Sequence, residues 1–230
     1  MDDRISIKTM KRLCFFLVFP FLLAATSSGA TSLNSVSIAW LKYPGGGDWY
    51  WGSSALPNLI KFVKQNTNIP VADEEARIAL TDNGLFNYPF LFMTGHGNVN
   101  FRAEDLEILR KYLKAGGFLL ANDSYGMRKA FLREMKKLFP EQEPQEIPFS
   151  HGIFDIYYKF PNGLPKIHKH DEKPPQAFGW FVDRRLAVLF VYESDIGDGW
   201  EDPQVHNDPL EKRTAALQMG TNILIWALMN

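Results

Sequence analysis

Apolar residues fall along the chain in short continuous runs that alternate with stripes at helical spacing. The run from Ser35 to Tyr43, SVSIAWLKY, is rich in β-branched and aromatic side chains and stops at Pro44-Gly45-Gly46-Gly47, which predicts a strand and then a loop. Ser53 or Ser54 is expected to cap a helix in which Leu56, Leu59, Ile60 and Val63 recur at steps of three and four, with Pro57 in the first turn and an end near Asn66. Tyr88 to Thr94, YPFLFMT, is an apolar run of strand length ended by Gly95-His96-Gly97, as expected of a parallel strand covered on both faces. Ala103 to Ala115 places Leu106, Leu109 and Leu113 on one helical stripe, Gly116-Gly117 stops it, and Phe118-Leu119-Leu120-Ala121 follows as a buried strand. Tyr125 to Phe139 is helical again, through Met127, Phe131, Met135 and Leu138. Pro140 to Pro148 and Gly163 to Pro175 read as polar connectors, Leu186 to Tyr192 as the last strong strand, and Leu210 to Met229 as a closing helix.

Strands and helices alternating at these lengths predict a three-layer α/β sandwich: a mostly parallel sheet with helices on both faces, joined by right-handed crossovers. No internal repeat or second hydrophobic unit interrupts the pattern, so residues 31–230 are expected to form a single domain. The first 30 residues differ. Lys8, Lys11 and Arg12 lead into the apolar run Leu13 to Ala25, and small residues follow, with Ser28-x-Ala30 suited to signal peptidase. A cleavable signal peptide over residues 1–30 is therefore expected, with export to the periplasm or another envelope compartment and no stable membrane span after cleavage; the alternative is an uncleaved tether. Asp2 and Asp3 are unusual at the start of such a segment, and Met10-Lys11-Arg12 would make a more ordinary one, which points to Met10 as the true start.

Charge and cysteine content narrow the chemistry. Arg4, Lys8, Lys11, Arg12, Asp2 and Asp3 lie in the leader, so the remainder keeps 21 of the 25 basic and 24 of the 26 acidic side chains, a net charge of −3. That balance gives no basic footprint for nucleic acid. The one cysteine, Cys14, also lies in the leader, which leaves the domain without disulfide or thiolate chemistry.

In a parallel sheet the loops after the strands share one edge, where ligands bind beyond the strand C-termini. Four such loops carry polar and aromatic residues among glycines: Gly45 to Trp51, Thr94 to Gly97, Asn122 to Gly126 and Glu193 to Trp200. They predict one pocket, with Gly46, Gly47, Asp48, Trp49, Tyr50, Asp195 and Trp200 as ligand-binding candidates. The glycine triplet either cradles an anion or forms a tight turn that lets Trp49 and Trp51 fold over the domain; tryptophan beside aspartate also suits a sugar face. Ser124 lies in a strand-to-helix turn and is read as a nucleophile or as a helix N-cap, an ambiguity Asp123 shares. His96 and His151 are the candidate bases, whereas His168 and His170, in a polar loop, are expected to be solvent-exposed. His96, His151, Asp123 and Asp195 could hold a metal, but no two of them are spaced as a local ligand pair, so neither metal nor cofactor is expected.

The motifs Tyr43-x-Gly45-Gly46-Gly47-Asp48-Trp49-Tyr50, Ala55-Leu56-Pro57-Asn58-Leu59, Tyr88-Pro89-Phe90-Leu91 through Thr94-Gly95-His96-Gly97, Gly116-Gly117-Phe118-Leu119, Phe131-x-x-Glu134-Met135, Phe139-Pro140 and Gly199-Trp200-Glu201 stand in order over nearly all of the chain beyond the leader. In them the sequence resembles the bacterial domain of unknown function 4159 family. That family is similar to class I glutamine amidotransferase-like domains, flavodoxin-like sheets with a cysteine in the turn after a central strand. Here Ser124 stands at that position. The resemblance implies a flavodoxin-like fold and no established reaction. The leading expectation is an envelope protein that binds a small polar or carbohydrate-like ligand. The alternatives are a hydrolase using Ser124 or Asp123 with His96 or His151, and a non-catalytic interaction module with an unidentified protein partner.

Overall fold

The computed structural model describes residues 35–229; the leader, the cut near Ala30 and the Met10 start lie outside the described residues. The strands are β1 (Ile38–Lys42), β2 (Ala76–Ala79), β3 (Phe90–His96), β4 (Phe118–Tyr125), β5 (Gln145–Glu146), β6 (Gln176–Val182) and β7 (Arg185–Tyr192). The helices are α1 (Ala55–Asn66), α2 (Ala103–Lys114), α3 (Arg128–Leu138), α4 (Ile196–Trp200), α5 (Pro203–His206) and α6 (Leu210–Met229). One seven-stranded sheet runs in the order β2-β1-β3-β4-β7-β6-β5. Its first five strands are parallel, and β6 and β5 extend it antiparallel. Taken alone, the parallel strands have the 2-1-3-4-5 order of flavodoxin-like doubly wound sheets. The expected mostly parallel α/β sandwich is therefore present.

The central strands are continuous apolar runs because both of their faces are covered, and strand alternation divides each between two cores. Trp40, Phe90, Phe92, Phe118, Leu120, Leu189 and Val191 pack with α1 and α6. Leu41, Leu91, Met93, Leu119, Ala121, Val188 and Phe190 pack with α2 and α3. On the first side, a side chain at Gly220 in α6 would meet the Trp200 ring and Leu59, so glycine lets α6 lie directly on α4 and α1. Trp200, fully buried, donates from Nε1 to the Ala216 carbonyl (2.8 Å) and fixes that contact. Among the described residues no helix is long and apolar enough to cross a membrane.

Three boundaries differ from expectation. β4 continues past Ala121 to Tyr125, so Asn122, Asp123 and Ser124 are strand residues and α3 begins only at Arg128. The Ser54 hydroxyl does not cap α1; it accepts from Asp202 N (3.0 Å) and lies 3.4 Å from Glu201 Oε1, tying the helix start to the segment after α4. β2, β5 and β6 add three strands to those expected.

Candidate functional site

The loops after β1, β3, β4 and β7 leave the same edge of the sheet, because these four strands are parallel. Between β1 and β3, where strand order reverses and a ligand crevice is expected, the chain fills the space itself. Asp48 accepts from His96 N through Oδ1, and its Oδ2 lies 2.9 Å from His96 Nδ1. Gly95, at φ +140°, faces Tyr43 Oη and Asp48 so closely that a Cβ there has no room. Gly47 lies equally close to the backbone of His96 and Asn98, while Gly46 has open space around it. Tyr43 Oη is buried without a hydrogen-bond partner, and burial, then the fields of Asp48 and Asp123, push its pKa up. The glycine triplet thus serves a tight packed turn. Trp49 is half-buried with Lys42 over its ring (5.8 Å), and Tyr50 is exposed.

Alternation along β4 separates the two candidates that the sequence could not rank. Asp123 follows Ala121 towards α3, where its carboxylate accepts from Tyr125 N (3.1 Å), Met127 N (2.8 Å) and Arg128 N (3.1 Å). It is the residue that caps α3, and burial raises its pKa against the pull of those three donors. Asn122 and Ser124 point to the opposite face. The Ser124 hydroxyl lies 2.9 Å from Thr94 Oγ1 and 3.3 Å from Asn122 Nδ2, and no histidine is among its hydrogen-bond partners. His151 lies at the start of the turn Gly152–Phe154, accepts from Ile153 N (3.3 Å) and packs on Trp226. The structure therefore pairs His96 with Asp48 and not with Ser124 or Asp123, and it buries Trp200 in the core away from any open cleft.

The richest part of the edge gathers around Asp195, a ligand-binding candidate of the sequence, and adds residues that the sequence did not single out. Asp195, fully buried and at φ +61°, accepts from Asn122 Nδ2 (3.3 Å), and its Oδ2 lies 3.1 Å from His168 Nδ1 and 3.0 Å from His170 Nε2. His168 Nε2 lies 2.9 Å from Asp208 Oδ2. Asp198 Oδ2 is 3.5 Å from His168 Nδ1 and 3.4 Å from His206 Nε2, and its Oδ1 accepts from Trp51 Nε1 (3.2 Å). His206 Nε2 is 2.8 Å from Glu201 Oε2. His168 and His170 are mostly buried, contrary to the expectation of solvent exposure, because Ser194 and Glu193 draw their loop onto the end of β7: Ile167 N donates to Ser194 O, and Asp171 N to Glu193 Oε1. Hydrogen bonds to Asp195 and Asp198 hold the His168 pKa up to about 10. Burial pushes Asp195 up, but the bonds from His168 and His170 outweigh it and leave its pKa lowered; in Asp198, burial prevails and raises it. Sequence reasoning gave no role to His206, Asp198, Asp208 or Glu201; the local signals were the pair His168-x-His170 and the loop Glu193 to Trp200, which carries Asp198.

Across the Tyr125 ring from this cluster lies a cavity of about 590 Å³ lined by Asp123, Tyr125, Arg128, Lys129, Asp171 and Tyr192, with Gly126 and Leu132. Tyr125 has φ +146°, a conformation rare for any residue but glycine. Its ring stacks on His170 (4.9 Å between centroids), and its hydroxyl donates to Asp171 Oδ1 (3.2 Å). Arg128 lies over the Tyr192 ring at 4.7 Å.

Fold and edge together define a doubly wound α/β domain whose strand C-termini converge on a histidine and carboxylate cluster beside an aromatic cavity. The chain belongs to the family Domain of unknown function (DUF4159), whose family model matches residues 37–228. No curated protein matches the sequence.

Proposed function

We propose that this is an exported protein that binds a small polar, carbohydrate-like ligand at the strand C-terminal edge, in the cavity between β4, β7 and α3. The observation that carries this reading is Tyr125. Its strained backbone costs about 1–3 kcal/mol, and strain of that kind persists where the surrounding structure imposes it, most often at binding sites. It holds a half-exposed ring at the wall of the cavity. A volume of about 590 Å³ falls in the range of small-molecule sites. The remaining lining suits the same class of ligand: Tyr192 offers aromatic surface, Asp171 accepts hydroxyl hydrogens, and Arg128 and Lys129 favour an acidic group, which makes hexuronic acids and hexose phosphates better candidates than neutral hexoses. Export rests on the charged, apolar and small-residue pattern of residues 1–30.

Thermal-shift titration of the purified protein with glucose, glucuronate and glucose 6-phosphate tests the binding reading. The acidic sugars are expected to raise the melting temperature in a saturable way, and Tyr125→Ala is expected to abolish the shift while keeping the circular dichroism of the wild type. Equal shifts in wild type and Tyr125→Ala would sink the assignment. N-terminal sequencing of the protein recovered from the envelope tests export, with a start at Thr31 expected.

A further inference from the structure

We propose that His168, Asp198 and His206 form a binding site for one divalent transition-metal ion at the sheet edge, with Asp208 orienting His168. The inference goes beyond the ligand reading and does not depend on it. Three observations carry it. First, one donor atom from each of the three side chains lies within 4.8 Å of the other two. Asp198 Oδ2 is 3.5 Å from His168 Nδ1 and 3.4 Å from His206 Nε2, and bonds of about 2.1 Å in a tetrahedral site put ligand atoms about 3.4 Å apart. Two edges of the coordination figure are thus already at their proper length, and the third, between the imidazoles, is no longer than 4.8 Å.

Second, the outer contacts are those that metal-binding side chains need. A ligating imidazole binds through one nitrogen and donates its other N–H to a carboxylate, which fixes tautomer and ring plane. If His168 binds through Nδ1, the ion takes the place of the proton that Nδ1 shares with Asp195 Oδ2 at 3.1 Å, and Nε2 faces Asp208 Oδ2 at 2.9 Å. The free oxygen of Asp198 accepts from the Trp51 indole at 3.2 Å, so its Oδ2 is held towards the two rings. Glu201 Oε2, 2.8 Å from His206 Nε2, is placed to supply a fourth ligand or to hold solvent there.

Third, the cluster is rich in acids that, among the described residues, only imidazoles face as ion-pair partners. Asp195, Asp198, Glu201 and Asp208 crowd around His168, His170 and His206, and among the described residues no lysine or arginine forms an ion pair with any of the four carboxylates. A buried group of acids of this kind needs positive charge close by, which protonated imidazoles supply in the absence of an ion and a bound divalent cation would supply in their place. Two imidazole nitrogens with a carboxylate oxygen, and no thiolate, select zinc, cobalt, nickel, manganese or ferrous iron over magnesium and calcium, which prefer oxygen donors throughout.

The test uses the purified protein stripped with a chelator and titrated with Co²⁺ and then Zn²⁺. One equivalent of Co²⁺ is expected to give visible d–d absorption that Zn²⁺ displaces. His206→Ala and the isosteric Asp198→Asn are expected to lose that absorption, Asp208→Ala to bind about 10–100-fold more weakly, and His151→Ala to match the wild type. A wild-type protein that takes up no Co²⁺, or one-equivalent binding that survives unchanged in folded Asp198→Asn, would overturn the site. The wild-type spectrum decides the matter even where a variant fails to fold. Sugar binding plays no part in this readout, so its failure leaves the cavity assignment standing.

Discussion

At the scale of single residues, the decisive contrast is between neighbours. Asp123 and Ser124 are adjacent in β4, and a strand sends successive side chains to opposite faces. Asp123 satisfies three backbone donors at the start of α3, and Ser124 pairs with Thr94. Asp123→Ala is therefore expected to lower stability by about 1–2 kcal/mol in urea denaturation, and Ser124→Ala by clearly less; equal losses would contradict the assignment of the cap. His151 gives a pH signature. Burial lowers its pKa, and its Nδ1 accepts from Ile153 N, so the folded protein favours the neutral ring. Its contribution is complete above the unfolded value of about 6.5 and is lost as pH falls through the depressed folded value. The stability gap between wild type and His151→Ala should accordingly shrink on going from about pH 8 to about pH 5; a gap that is constant across this range would refute it. Residue roles were the least legible feature of the sequence. That Ser124 follows a buried run was plain, but whether the strand ended before it or ran through it decided which way it points, and apolar content alone does not mark that end.

Among the elements, those buried on both faces were read from the sequence, because full burial favours apolar runs: β3, β4 and β7 came from this signal, and β1 from its β-branched and aromatic content. The edges were not. β2 is four residues with Arg77 exposed on it, and β5 is two exposed polar residues. The hairpin from β6 to β7 turns through Asp183 and Arg184, both at positive φ, where Asn-Gly is the usual signal for such a turn. α6 was legible in extent, yet one buried polar residue within it has a role that no pattern gives. Asn222 donates to the Ile153 and Tyr158 carbonyls (3.0 and 2.7 Å) and accepts from Tyr158 N (2.8 Å), so α6 supplies the hydrogen bonds that the segment after β5 cannot make with a sheet. Asn222→Ala leaves one buried and two partly buried backbone groups unpaired and is expected to cost roughly 2–3 kcal/mol. A loss under about 1 kcal/mol in chemical denaturation would mean that water replaces the side chain.

For the molecule as a whole, the parallel order of β1, β3, β4 and β7 brings four loops to one edge, and that much followed from alternating strands and helices. What the sequence hid is where the remaining chain returns. The loop carrying His168 and His170 precedes β6, and the segment carrying Asp198, Glu201, His206 and Asp208 follows β7, so the cluster is closed by two segments whose approach depends on buried contacts at Glu193, Ser194 and Asp195. The crevice at the β1 and β3 switch is occupied by the chain's own Asp48 and glycine turn, which moves the open space to the ends of β4 and β7. The proposed polar ligand enters there. The most direct measurement is a ¹H–¹⁵N correlation spectrum of the protein titrated with glucuronate. Saturable shifts confined to the amides of residues 123–129, 168–173 and 192–195 are the expected result, and shifts centred on the cavity of Phe149, His151 and Phe160, or none at all, would contradict it.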